Sequence, residues 1–474
     1  MAILDKILTL KQLAESADGA LLNCDENMYA ADVVTDSRKI TNDAVFVALR
    51  GEKFDGHNFA AQAISAGAIC CVVDKKFKNT ANLPVIVVED TYAALRDMAR
   101  CYRGRFSVPA VGITGSVGKT STKDMVASVL AAGFNVLKTE GNFNNEIGLP
   151  LTAFRLSGEN DIAVFEMGMS AFGEISRLTR IAAPDVAIIT NIGYSHIEHL
   201  GSQDNILKAK LEILEGLSPT GTVILNGDDE FLKAQIGNIP FETLSYGIDN
   251  KNCDIVAENI KKYADRTEFE VKIDGKPLKL TVNVPGLHHV YNALAAILCG
   301  VIYNMPVAKI AEGVAEFKPS GMRQNTVELN DFVIIKDCYN ASPTSMKSGL
   351  EVLSVTPPKF KDEPCRRVAV LGDMLELGDF SQEAHTGVGA LCCNYDLGCL
   401  VAVGKNAEFV AKGAIENGFN SSELYVFYDN NAAKSHIMDI LKPNDVILFK
   451  GSRGMRLEEI ADFIAEKNST AAEE

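Results

Sequence analysis

The chain has 474 residues, 47% of them hydrophobic and 23% charged, with a formal net charge of −16. That length accommodates about three domains, each large enough to bury a core. The acidic balance argues against a general nucleic-acid binder, which would carry a basic face, and no apolar run reaches the ~18 residues of a membrane span.

Eleven cysteines, Cys70-Cys71 and Cys392-Cys393 among them, form no C-x-x-C pair. An odd count scattered through apolar runs reads as reduced core thiols in a cytosolic protein. The first ten residues alternate apolar and charged like a short helix and lack a signal-peptide core, so a cytoplasmic location is expected.

Taken in order, the first segment predicts buried strands at 45–49, 68–73 and 85–88, with helices at 59–66 and 91–103 and a polar loop at 51–59 between them. Residues 103–109 read as a basic linker closing on Pro109. The middle segment has apolar runs at 108–113, 162–165, 186–190 and 223–225, separated by helical patterns such as 203–214. Strands alternating with helices predict a mostly parallel sheet. The last three of these runs end in polar residues, Glu166, Asn191 and Asn226, at the carboxyl edge where ligands of such sheets sit. Alternation over 254–284 predicts antiparallel hairpins, followed by helices at 288–303 and 307–317. Further apolar runs at 332–335, 368–371, 400–403, 424–427 and 446–449 predict a second doubly wound unit. The small, acidic tail from residue 468 reads as disordered. The expected fold is α/β in three domains, 1–105, 106–318 and 319–474.

Residues 108–123 read V-P-A-V-G-I-T-G-S-V-G-K-T-S-T-K, a strand, a small-residue turn and a helix start. Glycines allow the backbone to wrap an anion, and the first N–H groups of a helix have no internal partner. Lys119 would reach terminal phosphates, and the Thr120 hydroxyl a magnesium ion. Five residues separate Gly112 from Gly118 and two separate Gly115 from Gly118, so the spacing departs from G-x-x-x-x-G-K-[ST] while the context fits.

Seven segments together resemble the Mur ligases of peptidoglycan synthesis. They are T-G-S-V-G-K-T at 114–120, G-N-F-N-N-E-I-G-L-P at 141–150, F-E-M-G-M at 165–169, T-N-I-G-Y-S-H-I-E-H-L-G-S at 190–202, A-K-L-E-I at 209–213, G-L-H-H-V-Y-N-A-L-A-A at 286–296 and D-C-Y-N-A-S-P at 337–343. The resemblance runs from about residue 36 to residue 458. T-D-S-R at 35–38, D-G-H-N-F at 55–59, G-D-M-L-E-L-G at 372–378 and K-G-S-R-G-M at 450–455 point to the group that adds D-alanyl-D-alanine to UDP-N-acetylmuramoyl-tripeptide.

The resemblance implies a small UDP-sugar domain, a central phosphate-loop domain that binds ATP, and a C-terminal Rossmann-like domain for the dipeptide. It also implies ATP-dependent amide synthesis through an acyl phosphate, with Mg²⁺, in a protein expected to be a monomer. Gly115, Ser116, Val117, Gly118, Lys119, Thr120 and Ser121 would form the phosphate loop. Thr120, Glu166, His196 and Lys210 would hold metal, Lys210 as a carbamate, because a bare ammonium would repel magnesium. Asn292 would contact adenine, Arg323 would reach ATP from the third domain, and Asp337 would hold the ribose. Ser37 and Arg38 would bind uridine, supported by Asp55 and His57, while Asn144 and Asn145 approach the substrate phosphates. Asn340, Ser342, Ser452 and Arg453 would take the dipeptide, an arginine being suited to a bidentate grip on its carboxylate. His385 is singled out by the resemblance without a physical role. Two other readings stay open from the residues: a sister amide ligase (MurE-like or folylpolyglutamate-synthetase-like), and a phosphate-loop NTPase switch.

Overall fold

The structure, a computed structural model, describes residues 8–470. Three α/β units follow one another. In the first, strands Ala20–Leu22, Val85–Val88, Ala68–Asp74, Ala44–Val47 and Asp32–Val34 form one sheet in that spatial order, parallel except for the Ala20–Leu22 edge. The second carries a wholly parallel seven-stranded sheet, ordered Ile255–Val256, Glu242–Gly247, Thr222–Asn226, Val186–Ile189, Ala110–Thr114, Ile162–Glu166, Val136–Lys138. The alternating stretch beyond it folds as an antiparallel three-stranded sheet, 258–282. The third has six strands, ordered Asn325–Glu328, Val333–Asp337, Val446–Lys450, Arg367–Gly372, Cys399–Val403, Leu424–Phe427, antiparallel at its first pair alone.

The central parallel strands are buried on both faces, which is why they read as unbroken apolar runs. Cys70, Cys71 and Cys399 lie inside such strands, and all eleven cysteines are free thiols. In the second unit, strand Ala110–Thr114 sits between two later strands, Val186–Ile189 on one side and Ile162–Glu166 on the other. The chain therefore reverses its winding direction there, and a crevice opens at the strand ends.

The basic linker is anchored through its first residue. Arg103 is buried and donates to the carbonyls of Ala182 (3.2 Å), Phe106 (2.9 Å) and Val108 (2.7 Å), pinning the first unit to the second. Residues 1–7 lie outside the described residues, and the first helix is Leu10–Ser16, closed by a Thr9/Gln12 capping box. Residues 471–474 of the tail lie outside as well, but helix Glu458–Thr470 reaches into it. There Asn468 is buried, its amide Nδ2 donating to Asp331 Oδ2 at 2.6 Å. Among the described residues no helix is long and apolar enough to cross a membrane.

Candidate active site

A cavity of about 620 Å³ opens where the second and third units face each other. The phosphate loop, Glu166, His196 and Asn292 line it from one side; Arg323, Asp337, Asn340 and Lys450 line it from the other.

The loop is rigidly moored. Val117 N–H donates to Asn191 Oδ1 (2.9 Å), and its carbonyl accepts from Thr190 Oγ1 (2.6 Å) and Asn191 Nδ2 (2.9 Å). Gly193 N–H donates to Ser116 Oγ at 2.8 Å. The T-N-I-G segment thus holds the loop's shape, a role its letters did not disclose. Gly115 (φ 150°) approaches so closely that a Cβ would stand 1.9 Å from Thr190 Oγ1. Gly115→Ala is therefore expected to lower ADP affinity at least about 100-fold, ~2.7 kcal/mol, measured by calorimetry.

Helix Lys119–Ala131 begins at Gly118 (φ 84°) with no side-chain cap, so its first N–H groups face the cavity unspent. Lys119 Nζ donates to the carbonyls of Gly115 (2.8 Å) and Ser116 (3.3 Å). Burial lowers its pKa, opposed by the Glu166 charge.

Glu166 ends its strand almost fully buried. Its Oε1 accepts from Thr120 Oγ1 (2.9 Å) and Asn144 Nδ2 (2.7 Å), while Oε2 is buried with no hydrogen-bond partner. An unpaired buried carboxylate oxygen beside a threonine hydroxyl is costly alone, but it suits a hard cation, which takes one or two carboxylates plus substrate phosphates. Thr120 and Glu166 therefore fit magnesium. Among the described residues no ready-made cluster of three or more acidic, histidine or cysteine ligands exists.

The other two expected metal ligands are placed differently. His196 lines the cavity, yet its Nδ1 pairs with Glu376 Oε2 at 2.5 Å. Lys210, near the end of helix Gln203–Leu211, is buried to 1% exposure and is not among the lining residues. Burial and the neighbouring Lys119 charge depress its pKa far below that of an ordinary lysine.

On the nucleotide side, Asn292 accepts from Thr122 Oγ1 at 2.9 Å, and its Nδ2 is buried without a partner. An unused amide donor of this kind suits a heterocycle with ring acceptors. Arg323 lies over the Tyr339 ring, 3.9 Å from its centroid. Asp337 pairs with Lys450 (2.6 Å), whose ammonium also donates to the Asn340 carbonyl (3.3 Å). Lys450 was not anticipated, since a strand-end lysine ordinarily reads as solvated. Here it is 2% exposed, with Gly349 so close that a Cβ there would meet its stem at 2.9 Å.

Asn145 lines the cavity but spends Oδ1 on the Ile147 and Gly148 amides. Ser342 lines it while capping helix Pro343–Val355. Ser452 and Arg453 are not brought to the cavity. Ser452 Oγ accepts from Leu375 N–H (2.9 Å), and Arg453 pairs with Glu458. The first-unit residues stand apart from it too. Arg38 is exposed and paired with Asp36, and Ser37 shares its short 3₁₀ turn. Asp55 caps the next 3₁₀ turn (Gly56–Phe59, within the expected polar loop) and holds His57 Nδ1 at 2.7 Å, while His57 Nε2 accepts from Asp74 N–H. These two side chains brace the sheet edge. His385 gains a role: its Nε2 accepts from Met374 N–H (2.9 Å), fixing the G-D-M-L-E-L-G loop.

His288 and His289, 4.0 Å apart by ring centroid, both approach Gln324 Oε1 through Nε2 (3.1 and 3.2 Å). Burial holds both neutral, His288 down to about 4 and His289 well below its usual value. Between the unfolded value of about 6.5 and the folded ones, the unfolded chain binds more protons, so stability falls as pH drops through that window. Lowering pH from 7.5 to 5 should therefore lower the urea midpoint, and His289→Asn should flatten the drop.

Profiles of known families match three parts of the chain: "Mur ligase family, catalytic domain" at 31–103, "Mur ligase middle domain" at 113–300, and "Mur ligase, glutamate ligase domain" at 322–453. The UDP-N-acetylmuramoyl-tripeptide--D-alanyl-D-alanine ligase of Bacillus subtilis is 38% identical over 97% of this chain and 98% of its own length. Among solved structures, MurF from Acinetobacter baumannii superposes with a TM-score of 0.87 at 28% identity, covering 97% of this chain and 99% of that one. MurF ligase from Thermotoga maritima in complex with ADP gives 0.80 at 28%, covering 93% and 98%. A chain similar to these along nearly its whole length, with a moored phosphate loop facing a third-unit wall, belongs to the Mur ligase family, within its MurF group.

Proposed function

We propose that this protein joins D-alanyl-D-alanine to UDP-N-acetylmuramoyl-tripeptide, cleaving ATP to ADP and phosphate, in the cytoplasm and as a monomer. The observation that carries the reading is the single cavity lined at once by a phosphate loop and by the polar third-unit residues Arg323, Asn340 and Lys347. A pure nucleotide switch has no need of that second wall.

In this reading the tripeptide carboxylate attacks the γ-phosphoryl group, giving an acyl phosphate and ADP. The dipeptide amine then attacks the acyl carbon and expels phosphate. Lys119, Ser116 and the uncapped helix start hold the phosphates, and Asn292 orients adenine. Asp337, held by Lys450, takes the ribose, and Arg323 reaches the phosphates from the third unit. Magnesium, held by Thr120 and Glu166 with His196, would offset the charge of the two anionic substrates and of the transferring phosphoryl group. Burial and the Lys119 charge disfavour the charged form of Lys210, and the neutral amine is the form that captures CO₂: R-NH₂ + CO₂ gives R-NH-COO⁻ and a proton. The carbamate would turn a repulsive ammonium into an anionic oxygen donor.

Asn144 and Asn145 are assigned to the UDP-substrate's muramoyl end, and Ser37 and Arg38 to uridine, braced by Asp55 and His57. Asn340 and Ser342 are assigned to the dipeptide. Domain boundaries at 105/106 and 318/319 divide these duties. Sustained ADP release over many turnovers should require both UDP-muramoyl-tripeptide and D-alanyl-D-alanine. Release independent of both would favour the switch, and release with an amino acid replacing the dipeptide would favour a sister ligase.

A further inference from the structure

The G-D-M-L-E-L-G loop of the third unit does not lie free. Its amides at Met374 and Leu375 are fixed by His385 Nε2 and Ser452 Oγ, both at 2.9 Å. The Asp373 carboxylate accepts from the Lys405 and Asn406 amides, and the Asp373 carbonyl accepts from Ser452 N–H. So moored, the loop reaches across to the second unit. Glu198 N–H donates to the Glu376 carbonyl (3.2 Å), Gly378 packs against Glu198, and the Tyr194 and Phe380 rings meet at 6.1 Å. At the centre Glu376 Oε2 stands 2.5 Å from His196 Nδ1 as an ion-pair contact, without the alignment of a hydrogen bond.

Both residues of that pair are non-glycine with left-handed backbones, φ 64° at His196 and 62° at Glu376. Such a conformation costs on the order of 1–2 kcal/mol per residue and persists where surrounding contacts demand it. His196 also lines the cavity. With Nδ1 turned to a carboxylate, the ring's other nitrogen, Nε2, is the one left to bind. A metal-binding histidine ordinarily gives its second N–H to a carboxylate, which fixes tautomer and orientation and raises basicity.

We propose that Glu376 is a positioning residue for the metal histidine, supplied across the unit boundary, so that His196 is oriented for magnesium only while the third unit is docked. His385 and Ser452, which touch no cavity atom of their own, then act by holding the loop that carries Glu376. The proposal rests on the metal role of His196 given above.

The test uses the full chain with ADP and Mn²⁺, following bound Mn²⁺ by electron paramagnetic resonance and the His196 ring tautomer by ¹⁵N NMR. Glu376→Gln should weaken Mn²⁺ binding roughly 10- to 100-fold and move the His196 ring from the Nδ1–H form to a mixture, with Glu376→Asp recovering part of both. His196→Ala should weaken binding at least as much, and Glu376→Gln in that background should add nothing. If His196→Ala weakens Mn²⁺ binding while Glu376→Gln leaves binding and tautomer unchanged, the role of Glu376 is refuted and that of His196 stands. If His196→Ala leaves Mn²⁺ binding intact, the metal role of His196 falls, and this proposal with it.

Discussion

Lys210→Ala is expected to abolish turnover, and millimolar acetate or propionate to restore part of it. The side chain is buried at 1% exposure, and its charged form is opposed both by burial and by Lys119. A lysine kept for stability would have a carboxylate beside it, since an unpaired buried ammonium is costly. The charge acting on Lys210 is instead a second cation. On the proposed reading CO₂ uptake resolves this arrangement, because the resulting anion would offset the cation beside it. Removing the side chain leaves space in which a small carboxylate can stand in for the missing one, so rescue should depend on carboxylate size and not on ionic strength. Wild-type activity in Lys210→Ala would sink the assignment, and loss without rescue would leave Lys210 a packing residue.

Glu166→Gln should separate stability from activity. Oε2 has no partner in the folded protein, so a neutral isostere removes an unpaired buried charge, and the melting temperature should stay level or rise. Thr120 can still donate to the remaining oxygen. The amide, however, is a poor ligand for a hard cation, and kcat should fall by at least about 100-fold, ~2.7 kcal/mol. A lower melting temperature with near-normal kcat would mark Glu166 as a structural residue.

The sequence made the parallel sheets visible because strands covered on both faces, such as Val186–Ile189 and Val446–Lys450, must be apolar throughout and then turn polar at the ligand edge. Some edge strands were invisible for the converse reason. Asn325–Glu328 is largely exposed, and Ala20–Leu22 is three residues long. Thr120 and Glu166 could be named because each sits at the end of a recognisable element. The clamp of Thr190 and Asn191 on Val117 joins residues more than seventy apart through a backbone carbonyl, which leaves no trace in composition or period. Lys450, Glu376 and Arg103 were missed alike. A charged residue beside a strand or in a loop reads as solvated until the fold shows what covers it. Ser452 and Arg453 were drawn toward the dipeptide by the K-G-S-R-G-M motif, whereas the chain spends them on Leu375 and Glu458.

The central claim is that ATP activates a substrate carboxylate, and isotope transfer tests it most directly. UDP-muramoyl-tripeptide labelled with ¹⁸O in its terminal carboxylate is incubated with ATP, Mg²⁺ and D-alanyl-D-alanine, and the phosphate released is examined by mass spectrometry. The account predicts one ¹⁸O in each phosphate, the other remaining in the new amide. Phosphate that carries no label, released at the same rate, would contradict it, because water and not the carboxylate would then have attacked the γ-phosphoryl group.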